Sequence, residues 1–220
     1  MRFALKDSRL GLRNSHTRIP FRYGKACLTS CPQAVLEATI ESDGRVQRGY
    51  SGDCLPPGWF DKSPGKDFAT QIDDMLGIIA AAERIWREER SAAGEFFPAW
   101  REAQRRVQDE AEARGLPALV AGLGSSLVER AVMDAMCRLA GLPLFQAVRG
   151  DLFGIRPGEV HPQLQGQKAA DWLPPEPRQA IHVRHTVGLG DPLTASDLAE
   201  SERLRDGFPQ TLEEYVQETG

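Results

Sequence analysis

The residues that could do chemistry are few and scattered. Cys27 and Cys31 are close enough to begin a metal pair, but no second ligand pair follows at the spacing of a zinc site. His182 and His185 lie three apart in a β-branched stretch, which puts their side chains on opposite faces of a strand and spoils shared ligation. Gly122-Leu-Gly124 and Gly188-Leu-Gly190 each lack the third glycine and the strand–loop–helix setting of a dinucleotide loop. No Gly-x-Ser-x-Gly elbow presents a nucleophilic serine. On these residues alone, the chain carries neither a catalytic group nor a metal site.

Composition narrows the class further. The chain has 220 residues, 41% hydrophobic and 26% charged, enough apolar matter for a real core. Its 27 basic and 31 acidic residues are interspersed and leave a net charge of −4, so no basic footprint for nucleic acid exists. No apolar run reaches the roughly 18–20 residues of a membrane span, and the polar first fifteen residues do not make a secretory signal. Four cysteines in a chain of this size read as reduced thiols of a cytoplasmic protein.

Periodicity sets the elements. Residues 33–42 place Ala34, Leu36, Ala38 and Ile40 at alternate positions, a half-buried strand. Asp43-Gly44 is a hairpin turn, and Val46 to Tyr50 is the return strand. Phe3 to Leu12 is a candidate third strand of the same antiparallel sheet. Phe68, Ile72, Leu76, Ile79, Glu83 and Trp86 then recur at helical spacing, as do Phe97, Trp100, Gln104 and Val107. The run Arg84 to Arg90 reads as a solvated helix face.

Ser126-Leu-Val-Glu129 reads as a capping box opening a third helix, with Leu127, Ala131, Val132, Ala135, Met136 and Leu139 on one face. Gly141 and Pro143 stop it. Residues 151–180 are rich in proline and read as a linker or extended loop. Ile181 to Leu189 is a strand candidate, and Thr211 opens a last helix. One strand and one short helix do not cover a parallel sheet, so residues 181–220 read as the first unit of something larger.

A β-meander, then helices, then a strand–helix unit is the order found in the enolase superfamily, in its mandelate racemase and muconate-lactonizing subgroups. The residues that carry the resemblance can be quoted. Ile19-Pro-Phe-Arg-Tyr-Gly24 with Leu28-Thr-Ser30 resembles the loop after the first strand, and Gly52-Asp-Cys-Leu-Pro-Pro-Gly-Trp-Phe-Asp-Lys62 the second mobile loop. Val128-Glu-Arg-Ala-Val-Met-Asp134 with Gly141-Leu-Pro-Leu144 is similar to the helix that closes the capping domain. His182-Val-Arg-His-Thr-Val187 resembles the first barrel strand.

The resemblance implies an α+β fold: an enolase-like N-terminal capping domain over residues 1–150, a linker over 151–180, and over 181–220 the incomplete start of a (β/α) barrel. It implies a chemistry in which a base removes the proton next to a carboxylate while Mg²⁺ stabilises the enediolate. The base and the metal-binding carboxylates of that family sit on later barrel strands, and a complete barrel takes about 250 residues. No catalytic residue and no metal ligand therefore carry over to this sequence, and the chain alone is expected to be inactive.

What carries over is the cap. By resemblance Phe21, Arg22 and Tyr23 of the first loop and Leu55, Trp59 and Phe60 of the second are substrate-facing, with Thr186 at the end of the first barrel strand. Arg22 would read a carboxylate in a bidentate way and the aromatic residues would form a dry wall. Plainer roles stay open: Arg22 in a surface ion pair, Trp59 packed onto its own sheet, Thr186 a simple sheet residue. The expected partners are a small carboxylate-bearing substrate if a barrel is supplied, and a second copy or a barrel-supplying chain. A non-catalytic interaction protein and the cap subunit of a two-chain enzyme are the alternatives.

Overall fold

A computed structural model describes residues 1–24, 26–88, 95–182, 184 and 186–219. The chain divides into two compact units, one of residues 1–15 and 31–179, the other of residues 16–30 and 180–220.

The first unit is an antiparallel three-stranded sheet backed by helices. Strands β1 (Ala4–Arg13), β4 (Gln33–Ser42) and β5 (Arg45–Cys54) pair in the order β1-β4-β5. Strand β4 spans the residues that the alternation predicts, and Ala34, Leu36, Ala38 and Ile40 are all fully buried. Asp43 and Gly44 both take positive φ, 50° and 74°, so the β4–β5 turn has the twist a tight hairpin needs. A bulge between Leu5 and Asp7 shifts the β1 register.

The helices are α1 (Phe68–Glu88), α2 (Phe96–Ala113), α3 (Ala118–Ala140) and α4 (Leu144–Arg149). Leu127, Ala131, Val132, Ala135, Met136 and Leu139 of α3 are buried as their spacing requires. Gly141, at φ 68°, ends α3, and Leu142 N closes the turn on Cys137 O at 3.0 Å. Two helical details differ from the pattern. Phe68 is exposed, and α1 turns Met75, Ile78, Ile79, Ala82, Ile85 and Trp86 inward. Ser126 does not cap α3, which begins two turns earlier at Ala118 after Pro117, because Gly115 and Pro117 already supply the break from α2.

Helix α3 also covers the exposed edge of β5. Tyr50 N donates to Asp134 Oδ2 at 2.8 Å, Arg130 Nη1 donates to Gly52 O at 3.2 Å, and Arg45 Nη2 donates to Leu139 O at 3.0 Å. An open strand edge invites unwanted pairing; here Asp134 and Arg130 of the helix take up backbone groups of β5, and Arg45 of the strand takes up a helix carbonyl. Gly124 is a packing residue: a Cβ there would lie 2.9 Å from Ile78 O of α1. Residues 151–179 form turns and three short 3-10 helices, with Phe153 buried against Phe96.

The second unit holds the hairpin of β2 (His16–Tyr23) and β3 (Ala26–Ser30), two 3-10 turns, and α5 (Leu212–Thr219). The strand expected over Ile181–Leu189 does not form among the described residues, and Val183 and His185 lie outside them. Ile181 is 83% exposed, so β-branched composition alone does not hold a strand without an edge to pair with. Leu189 makes one ladder-like bond, its N donating to Arg22 O at 2.9 Å.

Candidate functional site

The residues singled out by sequence lie in one loop of the first unit and, in the second unit, at Thr186 and in strand β2, where Phe21, Arg22 and Tyr23 are strand residues and not the loop that the resemblance implies, because β3 pairs with them. In the first unit the second loop leaves β5 at Cys54. Leu55 is fully buried, with its N donating to Pro32 O at 2.8 Å, and Phe60 packs against the core. Gly58 turns at φ 77°, and its N donates to Gln71 Oε1 of α1 at 2.6 Å. Trp59 is left 54% exposed at the crest of this turn. Of the three residues, Trp59 is the one with a face available to a small molecule.

The loop is held down by charge. Lys66 Nζ lies 2.7 Å from Asp61 Oδ2 and 2.8 Å from Asp74 Oδ2. Asp61 is 4% exposed, and Ser63 N also donates to its Oδ1 at 2.8 Å. Burial disfavours the Asp61 carboxylate, but Lys66 and Ser63 outweigh it and hold the group below its ordinary range. Asp67 caps α1 through Thr70 N at 2.7 Å. Sequence reading passes over this cluster, although a lysine flanked by aspartates at both ends of a loop is a visible signal.

In the second unit the hairpin register alternates its residues. Phe21 and Tyr23 share one face with their rings 5.6 Å apart, while Arg22 points to the other. The Arg22 guanidinium is exposed and makes no hydrogen bond or ion pair among the described residues. Its neighbour Arg18 is fully committed. Arg18 clasps both Asp206 oxygens at 2.6 Å and donates to Phe208 O and Pro209 O. The Arg18 guanidinium holds the Asp206 carboxyl down at about 2. Thr186 is exposed.

One half-buried acid makes no ion pair among the described residues. Glu129 of α3 accepts a hydrogen bond from Trp100 Nε1 of α2, and burial pushes its carboxyl up despite that bond and the charge of Arg130. Sequence placed Glu129 in a capping box, and only packing reveals its setting.

The Mg²⁺ implied by the resemblance does not fit the residues present. Among the described residues no three His, Cys, Asp or Glu side chains converge to hold a metal. Asp61 and Asp74 do converge, but on Lys66, which already joins them. Cys27 is an exposed thiol of β3 and Cys31 a buried thiol of the first unit, both free. No helix of the described residues is long and apolar enough to cross a membrane.

No family model and no curated protein matches the chain. Several solved structures do. A dipeptide epimerase from Enterococcus faecalis, complexed with Mg and L-Leu-L-Tyr, is 16% identical, with 67% of this chain and 34% of that one covered at a TM-score of 0.42. An enolase from Bradyrhizobium, complexed with magnesium and mandelic acid, is 18% identical over 66% and 34%, TM-score 0.40. A mandelate racemase/muconate lactonizing enzyme-like protein from Rubrobacter xylanophilus is 20% identical over 66% and 33%, TM-score 0.38. Many of the solved structures that this chain resembles are mandelate racemase/muconate lactonizing enzyme-like proteins of the enolase superfamily, and it spans about one third of their length.

Proposed function

We propose that this chain is the capping part of an enolase-superfamily enzyme of the racemase, epimerase or cycloisomerase kind. Such an enzyme abstracts a proton α to a carboxylate with help from a divalent metal. The observation that supports the reading is the order of the quoted motifs on the fold. The first-loop segment lies between β1 and β4, the second follows β5 directly, and the Val128–Asp134 segment sits on the helix that covers β5. In this reading Arg22, with its guanidinium open on one face of the β2–β3 hairpin, offers a carboxylate two parallel donors; Phe21 and Tyr23 give the other face an aromatic surface, and Trp59 is the exposed ring of the second loop. Leu55 and Phe60 shape the second loop from below. Thr186 stays a candidate contact. The base and the metal ligands come from a barrel, in a cytoplasmic setting that keeps the thiols reduced.

The test is α-proton exchange in D₂O with Mg²⁺ and a panel of α-substituted carboxylates and dipeptides. The chain is assayed alone and together with the product of a reading frame that follows it and opens with a Lys-x-Lys strand. Exchange only in the combination supports a cap. Exchange by the chain alone removes the claim that it lacks a base, and two folded partners that show no exchange together overturn the reading.

A second reading, an interaction module without chemistry, is favoured by the apolar surface of the second unit. Leu189, Leu193, Phe208 and Val216 of that unit are all more than half exposed. Light scattering decides here: a concentration-dependent homo-oligomer with no exchange activity in any combination is its expected signature.

A further inference from the structure

Cys31 is buried, Cys54 is exposed, and both thiols are free. Strand register brings them together. Gln33 lies opposite Cys54 at the end of the β4–β5 ladder, and the pairing continues one rung further, where Leu55 N donates to Pro32 O at 2.8 Å. That rung makes Cys31 and Cys54 diagonal neighbours on one side of the ladder, and the two thiols lie within hydrogen-bonding reach of each other. Burial first, then the neighbouring Cys54 thiol, push the Cys31 thiol up to about 11. Cys137 belongs to α3 and Cys27 to the second unit.

Each of the two cysteines stands at the root of a loop. Cys31 is where the chain returns from β3, stitched to Ser15 by its N on Ser15 O at 2.9 Å and by Ser15 Oγ on its own carbonyl at 2.5 Å. Cys54 is the last residue of β5, before the loop anchored by Lys66. We propose that Cys31 and Cys54 are an oxidisable dithiol, which a small disulfide of the glutathione class converts to an intrachain disulfide that joins the two loop roots.

The exchange balances without any other reactant. The exposed Cys54 thiolate attacks one sulfur of the small disulfide, its S–S bond breaks, and the departing thiolate takes up a proton. Cys31 then loses its proton to solvent and its sulfur attacks the Cys54 sulfur of the mixed disulfide. The second small thiol leaves and is protonated. Two protein thiols are oxidised and one small disulfide is reduced to two thiols. Access and thiolate fraction set the order, because the buried thiol with the raised pKa is the poorer first nucleophile.

The experiment treats the native full chain with oxidised glutathione, blocks remaining thiols with N-ethylmaleimide, and maps tryptic peptides by mass spectrometry. The expected product is peptide 26–45 joined to peptide 49–62, at a mass lower by two hydrogens than the sum of the two. Cys27 and Cys31 share peptide 26–45, so the link must persist in Cys27→Ser. Cys31→Ser, with an unchanged circular dichroism spectrum, should instead hold a stable glutathione adduct on Cys54. A stable adduct on Cys54 of the unsubstituted chain, a link lost in Cys27→Ser, or no reaction at Cys54 overturns the proposal.

Discussion

The Cβ that Gly49 lacks would lie 2.3 Å from the carbonyl oxygen of Ala131 and 2.2 Å from the amide nitrogen of Ala135. Strand β5 and helix α3 thus meet backbone to backbone at one glycine. That approach lets Asp134 reach Tyr50 N, and lets Arg130 reach both Gly52 O and, at 2.7 Å, Asp53 Oδ2.

Gly49→Ala should therefore force α3 away from the sheet, at a cost of about 1–3 kcal/mol or more from overpacking against atoms that cannot turn aside. Gly52→Ala is the control. Its added Cβ meets Ala34 O at 3.4 Å, ordinary contact, and its φ is not in the left-handed region. Urea unfolding of the two variants should separate them clearly, and equal midpoints would show that α3 has room to shift.

Glu129 should make stability fall as pH rises. Its carboxyl is raised in the folded state by burial, so between its ordinary value of 4.5 and the raised value the folded chain binds more protons than the unfolded chain. Glu129→Gln keeps an acceptor for Trp100 Nε1 and removes the half-buried charge. The variant is expected to melt higher than the parent near neutral pH and to match it in mild acid. Glu129→Ala strands the indole N–H instead and should cost about 1–3 kcal/mol.

Lys66→Met leaves Asp61 buried beside Asp74 without their shared cation. In the parent the Asp61 contribution is present above its ordinary value of 3.8 and is lost as pH falls through its lowered value. The variant should lose about 1–3 kcal/mol near neutral pH, less than a fully buried pair because Lys66 is partly solvated. The deficit should shrink once acid protonates Asp61. Denaturant curves at neutral and acidic pH read this directly.

Asp206 reports on the second unit. Its carboxyl should titrate at about 2 by carbon NMR, and the stabilisation it provides is complete above the ordinary 3.8 and lost as pH falls through about 2. Arg18→Met should return the midpoint toward the ordinary value. An unchanged midpoint in that variant would show that the Phe208 backbone bond, not the guanidinium, holds the group down.

The sequence determined the elements whose signal is local. Strand β4 needed only its period-two alternation, the Asp43-Gly44 turn only residues that accept positive φ, and the inner face of α3 only its helical spacing. The motif over residues 19–24 reads as a loop, but Phe21, Arg22 and Tyr23 belong to strand β2, because β3 supplies the edge that pairs with them. Tertiary structure decided whatever depends on a partner distant in the chain. Ile181–Leu189 has strand composition, but a strand exists only where an edge accepts its hydrogen bonds in succession, and the bond from Leu189 N to Arg22 O does not by itself make a ladder. Ser126 and Glu129 match a capping box, yet Pro117 starts the helix earlier and Trp100 claims the acid. Cys27 and Cys31 look like a pair because they are near in sequence. Register gives Cys31 a different neighbour, since an antiparallel ladder measures nearness across strands and not along the chain.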